Sequence, residues 1–355
     1  MSVKVFLCLC KSRRQGRSVF TIGTISTALV VAFFFLAVMS PTMHAGKRHW
    51  TYQDIQARSQ QIDAFIQERL SEEQIKPAPL VAESTLLRRL YLDLIGRIPS
   101  IEEAQSYIDS SDPQKRDQLI NRLLDSEGHV SHEYNHWADL LRIKSRMRNL
   151  PGQPYIEWVH DAFRRNMPYD EFVGQLINSK GYLWDDGATG FYFRDAGMEL
   201  DHMANTFQVF LGTQVGCAQC HDHPYDSWTQ KQYYEQAAYT YGVKTTDSKM
   251  NRKFRGLGNN KIRNDIDPAL KAAARRMVRP LKYRVFESKT ALKLPDDYQY
   301  EDSKPKSKVT PHPMFGHLVD GKSDASLRQA YAEWLTSPEN PRFPTVVANR
   351  YWRRM

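Results

Sequence analysis

Cysteine is scarce in this chain. Four occur among 355 residues, as two pairs, Cys8 with Cys10 and Cys217 with Cys220. There is no second C-x-x-C. A structural zinc site needs four Cys or His ligands, so only His221 or His223 plus a distant residue could complete one here. No Gly-rich phosphate loop, serine-nucleophile elbow or H-E-x-x-H occurs, which removes the motif-based cases for a nucleotide site, a serine hydrolase and a zinc protease. Acidic pairs exist, but sequence alone does not set two carboxylates across a bond, so a glycosidase has no footing. Strong period-two alternation is missing before residue 240, which argues against a sheet there. Negative charge is missing from the start: no acid precedes position 46.

That last absence defines a leader. Lys4, Lys11, Arg13, Arg14 and Arg17 supply five of the nine net positive charges, leaving +4 for the remainder. The chain is not strongly basic outside the leader, and composition gives little support to a nucleic-acid partner. Residues 18–45 are uncharged and mostly apolar, densest over 28–39, and Lys47 and Arg48 end the run. This reads as a long signal peptide or a membrane anchor, and an uncleaved anchor over 19–39 is favoured, since Met43 makes a mediocre cleavage site. Basic residues ahead of the run place 1–18 in the cytoplasm and the bulk outside. The expected location is a bacterial plasma membrane, single-pass, with a periplasmic body. Cys8 and Cys10 would lie on the reducing side and receive no role.

Cys217-Ala218-Gln219-Cys220-His221 is the most informative stretch. C-x-x-C-H is the attachment signature of a c-type haem: two thiols form thioethers to the vinyl groups, and the adjacent imidazole becomes the proximal iron ligand. The same residues also fit a redox dithiol, half a zinc site or a local disulfide. Export agrees with the haem reading, because haem is attached on the outer face of the bacterial plasma membrane. In that reading Cys217 and Cys220 are anchors and His221 the proximal ligand, with Met198, His202 or Met203 as distal candidates. Asp222, His223 and Asp226 surround the motif, and an acid there could orient His221 through its free ring nitrogen. Trp228, Tyr233 and Tyr234 could wall the cofactor or simply pack.

Elsewhere the pattern is helical. Residues 40–54 read as a polar linker and 55–245 as a helix-on-helix domain. Ile62, Phe65, Ile66 and Leu70 form one stripe. Ser84 or Thr85 is expected to cap a helix ended by Gly96 and Pro99. Ser100 and Glu103 form a capping box, and Asp112-Pro113 an N-cap with proline at N1. Further helices are predicted over 130–148, 155–166, 169–180 and 201–211, and Ser227-x-x-Gln230 opens another. His129, His132 and His136 share a helix face, as a metal face or as ordinary histidines. Asp185-Asp186 fit either a calcium site or an acidic turn. Residues 246–313 form a basic, mixed and irregular insert, with short strands over 283–294. Residues 314–355 start a second domain, and the helical pattern is still running when the chain stops at Met355, so that domain is expected to be cut short. The expected fold class is mainly α, with an N-terminal membrane anchor and a small mixed insert.

Several stretches resemble a known family. They are Ile62-Asp63-x-Phe65-Ile66, Leu87-Arg88-Arg89-Leu90-Tyr91-Leu92-Asp93-Leu94-Ile95-Gly96, Ile98-Pro99 with Glu102-Glu103, His136-Trp137-x-Asp139-Leu140, and Phe210-Leu211-Gly212 through Trp228-Thr229-Gln230. Together with Cys217-Ala218-Gln219-Cys220-His221-Asp222-His223-Pro224-Tyr225-Asp226-x-Trp228, they resemble the planctomycete-type cytochrome-c-like domain of unknown function, over roughly residues 55–245. Trp334-Leu335-Thr336-Ser337-Pro338-Glu339-Asn340-Pro341 and Val347-x-Asn349-Arg350-Tyr351-Trp352 resemble the opening of its usual partner domain, most of which is missing here. Leu141-Arg142-Ile143 departs from the Ala-Arg-Tyr more usual in that family. The resemblance implies an exported or membrane-anchored protein with a cytochrome label, an unknown redox partner and no established reaction, so whether it is an enzyme stays open. The leading expectation is covalent haem c for electron transfer or an oxidative reaction. The alternatives are a zinc-like site in an extracytoplasmic enzyme and a helical structural or binding module.

Overall fold

A computed structural model describes residues 51–355, apart from 148, 251, 253–266 and 317–325. The expected leader, the anchor over 19–39, and Lys253, Arg255, Lys261 and Arg263 of the basic run lie outside the described residues. Among the described residues no helix is long and apolar enough to cross a membrane.

Helix α1, Tyr52–Glu72, belongs to the first of two compact units. Its start follows from a reciprocal capping box: the Thr51 hydroxyl accepts the Asp54 N–H at 3.2 Å, and the Asp54 carboxylate accepts the Thr51 N–H at 3.0 Å.

Residues 81–355 make up the second unit. It opens with α2 (Glu83–Ile95), α3 (Ile101–Ile108) and α4 (Lys115–Leu124). Leu87, Leu90, Tyr91, Tyr107, Leu119, Ile120 and Leu123 bury one another in a small core. Helix α2 begins two residues earlier than a Ser84 cap would place it, with Ala82 as N-cap: Glu83 occupies the first turn, where the helix dipole favours an acid, and pairs with Lys115 at 2.8 Å. Ser100 and Glu103 form the expected box on α3. Asp112 is not the cap of α4; its carboxylate closes a turn onto the Gln114 N–H at 2.7 Å, which delays the helix to Lys115.

The larger core gathers α5 (Glu127–Leu141), α6 (Gln153–Arg164), α7 (Tyr169–Asn178), α8 (Gly190–Arg194), α9 (Glu199–Thr206), α10 (Gln230–Ala237), α12 (Leu327–Thr336) and α13 (Arg342–Arg354); α11 (Pro268–Val278) carries part of the basic run. Trp137, Tyr155, Phe191, Phe207, Phe210, Tyr233 and Tyr331 are fully buried there. Helix α5 stops at Leu141, short of the predicted 148, because Arg142 turns left-handed at φ 52°. A two-residue antiparallel ribbon follows, β1 (Arg146–Met147) with β2 (Leu150–Pro151). The helix predicted over 201–211 splits into α9 and a π-turn, Phe207–Leu211, closed by Gly212 at φ 61°.

The strand expectation within 283–294 reduces to β4, Phe286–Glu287, paired with β3, Val243–Lys244. Around it Tyr283, Val285, Leu292, Leu294, Tyr298 and Val309 are buried in the main core, so this part of the insert is packed into the domain. Residues of α12 and α13, read above as the start of a second domain, share that core: Tyr331, Trp334, Leu335, Phe343 and Val347 are buried with it.

Helix α5 docks on the end of α2 through histidines. His129 Nδ1 lies 2.8 Å from the Leu94 carbonyl, and His132 packs on Gly96. Gly96 closes α2 at φ 72°, and a Cβ there would stand 2.5 Å from His132 Nδ1. Gly96→Ala is therefore expected to cost at least about 1–2 kcal/mol, read as a lower midpoint in denaturant unfolding. Burial, with the Arg354 cation next in weight, lowers the pKa of His132 and of His136 below the ordinary imidazole value of about 6.5. Bases depressed in the folded state stabilise above their unfolded value and lose that contribution as pH falls through the folded one. Thermal stability is thus expected to decline below about pH 6.5, with a shallower decline in His136→Gln.

Candidate functional site

The motif sits on a short 3₁₀ turn, Gly216–Gln219. Val215 and Ala218 are fully buried and anchor it. The Cys217 carbonyl accepts the N–H groups of both Cys220, at 3.2 Å, and His221, at 3.3 Å. The turn's apolar positions thus face the core, while both cysteines are exposed and free.

His221 is exposed, and its Nδ1 lies 2.7 Å from the Asp222 carbonyl oxygen. A carbonyl can only accept, so Nδ1 carries a proton, and in the neutral imidazole the lone pair is on Nε2. Asp222 is held on two sides: its N–H donates to the Tyr300 hydroxyl at 2.7 Å, and its carboxylate accepts the Gln230 N–H at 2.8 Å. Gln230, 2% exposed, returns its side-chain amide to the Gln219 carbonyl at 3.2 Å. The His223 N–H donates to the Trp228 carbonyl at 2.8 Å, and its Nδ1 accepts the Tyr225 N–H at 3.3 Å. Asp226 accepts the Ser227 N–H at 2.8 Å. Both nearby carboxylates are therefore spent on loop N–H groups, and the group that orients His221 is a backbone carbonyl. Because Asp222 takes the Gln230 N–H, the capping box of α10 is Thr229 with Gln232, two residues beyond the Ser227–Gln230 pair expected.

The three distal candidates lie apart in their surroundings. Met198 is half exposed at the cap of α9. The Met203 sulfur accepts the Tyr331 hydroxyl at 3.5 Å in the core. His202 is buried between Phe191 and Tyr192, ring centroids 4.7 and 4.6 Å away, with Nδ1 3.3 Å from Asp195 Oδ2 and no partner on Nε2. Trp228, Tyr233 and Tyr234 are all core residues. Burial, above all, raises the Tyr234 hydroxyl, and Cys220 beside it adds to the shift.

Sequence reasoning passed over the buried polar frame behind this site. Asp195 meets Arg194, Arg142 at 2.6 Å and Asn205 at 3.3 Å. Burial alone would raise its carboxyl, but His202 and Arg194 outweigh that and hold it well below the usual carboxylate range. No spacing rule links positions 142, 195 and 205, so nothing in the sequence marked them, and His202 was marked only as a distal candidate. Tyr300 was unmarked for the same reason, and Gln230 was marked only as a capping residue.

The histidine face of α5 comes apart by role. His129 bonds to Leu94, His132 packs on Gly96, and His136 stands edge-on to Trp137 at 6.1 Å. Asp186 caps a small 3₁₀ turn through the Ala188 N–H at 3.1 Å, which fits the acidic-turn reading. Among the described residues no group of three or more His, Cys, Asp or Glu side chains is arranged to hold a metal ion.

Asp222→Ala leaves the Gln230 N–H without its acceptor. It is expected to cost about 1 kcal/mol or more in thermal unfolding, while Asp222→Asn, which retains an acceptor oxygen, costs less.

No curated protein and no solved structure matches this chain. A protein-family comparison does match, over residues 61–245, a span that takes in α2 to α10 and the whole motif loop. The chain belongs to that family, PSCyt2, described as a protein of unknown function (DUF1549).

Proposed function

We propose that this protein is an exported, membrane-tethered, c-type cytochrome-like protein that binds haem covalently at Cys217 and Cys220 and serves electron transfer or an oxidative reaction. The observation that carries this reading is the state of His221. Its Nδ1 is fixed on the Asp222 carbonyl at 2.7 Å, so the exposed Nε2 lone pair is available beside two exposed free thiols. Ligating histidines characteristically give their other ring N–H to a carbonyl or carboxylate, which fixes tautomer and orientation. The residues present therefore fit the group.

Each cysteine would add its S–H across one vinyl group, sulfur to one carbon and hydrogen to the other. His221 would hold the iron from the proximal side, with Asp222 keeping the ring in place. When bound, the haem supplies a one-electron couple or a site for oxidative chemistry. The Met203 sulfur is taken up by the Tyr331 hydroxyl, whereas His202 has Asp195 beside Nδ1 and no partner on Nε2 and Met198 is half exposed, so His202 and Met198 are kept as the distal candidates. The basic leader and the uncharged run over 19–39 support tethering on the outer face of the plasma membrane.

The full chain produced in a host with cytochrome c maturation machinery is expected to give a haem-staining band on a denaturing gel. The band should disappear in the Cys217→Ser/Cys220→Ser variant. In His221→Ala covalent attachment should fall and the pyridine-free spectrum should change. A folded wild-type chain without haem, expressed beside a control cytochrome that loads, refutes the proposal. Metal analysis and thiol titration of such a chain would then separate a zinc-like site from a bare dithiol.

A further inference from the structure

We infer that α11 is a membrane-surface helix, seating on the anionic lipid headgroups of the bilayer to which the chain is tethered. The inference does not depend on haem and draws on the proposed tether only for proximity. Helix α11, Pro268–Val278, forms for local reasons. The Asp267 carboxylate accepts the Ala269 N–H at 2.5 Å, proline opens the helix, and Ala272, Ala273 and Ala274 are strong helix formers. Packing adds little over most of its length. Every described side chain from Pro268 to Met277 is exposed. Leu270 is 62% exposed and Met277 80%; they stand at i and i+7 with Ala274 between them, so one helix face is apolar and open to solvent. Leu281, in the 3₁₀ turn Arg279–Lys282 that continues the helix, is exposed as well. A helix of eleven residues without a buried face is marginal in water, and a surface that covers its apolar side completes it.

Charge selects that surface. From Pro268 to Lys282 the sequence holds five basic residues, Lys271, Arg275, Arg276, Arg279 and Lys282, and no acid. Arg276 and Arg279 are exposed and, at helical spacing, lie off the face shared by Leu270 and Met277. Cations flanking an exposed apolar face are what an interfacial helix requires: the apolar side chains enter the acyl boundary while the guanidinium groups meet phosphates. A nucleic acid or an acidic polysaccharide would use the cations and leave Leu270 and Met277 in water. The far end of the helix is fixed to the domain. Tyr283 is buried, its hydroxyl accepts the Asn149 side-chain amide at 2.8 Å, and the Lys282 carbonyl accepts the Asp247 N–H at 2.8 Å. Seating α11 would therefore orient the domain on the bilayer as well as hold it there. A tether over 19–39 keeps the helix near lipid, so even a weak contact is populated.

The test follows hydrogen–deuterium exchange over residues 268–282 by mass spectrometry. The full chain is reconstituted into nanodiscs of phosphatidylcholine alone or of an equal mixture with phosphatidylglycerol. Folding is checked by circular dichroism, and the buried helix α7 serves as internal reference. Exchange in the segment should slow by about tenfold or more on the anionic discs relative to the neutral ones. High salt should reverse most of that slowing. Arg276→Glu/Arg279→Glu and Leu270→Ser/Met277→Ser, all at exposed positions, should each abolish it. Equal exchange on the two kinds of disc overturns the inference, as does a slowing that survives both double variants. Heparin that slows exchange in detergent as much as anionic discs do, with Leu270→Ser/Met277→Ser unchanged from wild type, assigns the helix to an acidic polymer and also overturns it. If the leader is cleaved and the chain does not enter discs, co-sedimentation with vesicles of the same two compositions reads the same contact, and no preference for the anionic vesicles overturns it. Haem staining is read separately, so a failure of this contact leaves haem attachment standing.

Discussion

One buried carboxylate organises the ground beneath the motif. Asp195 is nearly inaccessible, and an unpaired charge at such a depth would be prohibitive. It is tolerated because Arg142 arrives from the end of α5, Arg194 from α8 and Asn205 from α9, with His202 alongside. The left-handed turn at Arg142 ends α5 where its guanidinium can reach the acid. Arg194 also donates to the Leu141 carbonyl at 3.1 Å, so the same cation closes that helix end. Three chain segments are thereby held together in the interior. Helix α9, once fixed, presents the Leu200 carbonyl to the Tyr233 hydroxyl at 2.6 Å and so locates α10. The motif loop is then bounded by placed elements on both sides.

Within that frame the loop satisfies its own polar groups and leaves chemistry to spare. Cys217 closes the turn by its carbonyl, Asp222 and Gln230 tie the loop's two ends, and His223 is bonded to Trp228 and Tyr225. The two thiols are free, and one nitrogen of His221 is left over from its bond to the Asp222 carbonyl. In the core, Thr206 donates to the His202 carbonyl at 2.7 Å, and Arg328 donates to the Ser179 carbonyl at 2.6 Å.

The C-terminal helices belong to the same machinery. Tyr351 donates to Glu133 at 2.8 Å and accepts from Trp137 at 3.3 Å, and Arg354 pairs with Glu133 at 2.8 Å. Glu133 is thus a second buried acid, on α5, whose partners come from more than 200 positions away. With Arg342 on Thr213, α13 is attached at both ends to elements of the matched family region. The segment resembling the opening of another domain completes the interior of this one.

The sequence by itself determined the helical class, the capping box at Ser100, the end of α2 at Gly96, and the spacing that puts two cysteines and a histidine on one turn. These are local: they depend on neighbours within a few residues, through backbone geometry and short-range hydrogen bonds. The family membership was legible in the same way, from contiguous stretches such as Leu90-Tyr91-Leu92-Asp93 and the motif loop. Tertiary structure alone decided which group orients His221, because Asp222 and Asp226 were each within reach and only the fold commits their carboxylates to the Gln230 and Ser227 N–H groups. It also decided that His202 and Met203 face Asp195 and Tyr331, that Asp112 closes a turn rather than capping α4, and that Arg342 stands beside Trp228. Tyr331 for Met203 and Arg342 for Trp228 come from more than 100 positions away, and no periodicity or spacing records which distant side chain burial will bring to a given group; Asp112 and Asp226, by contrast, had several nearby N–H groups to choose from, and packing decided among them.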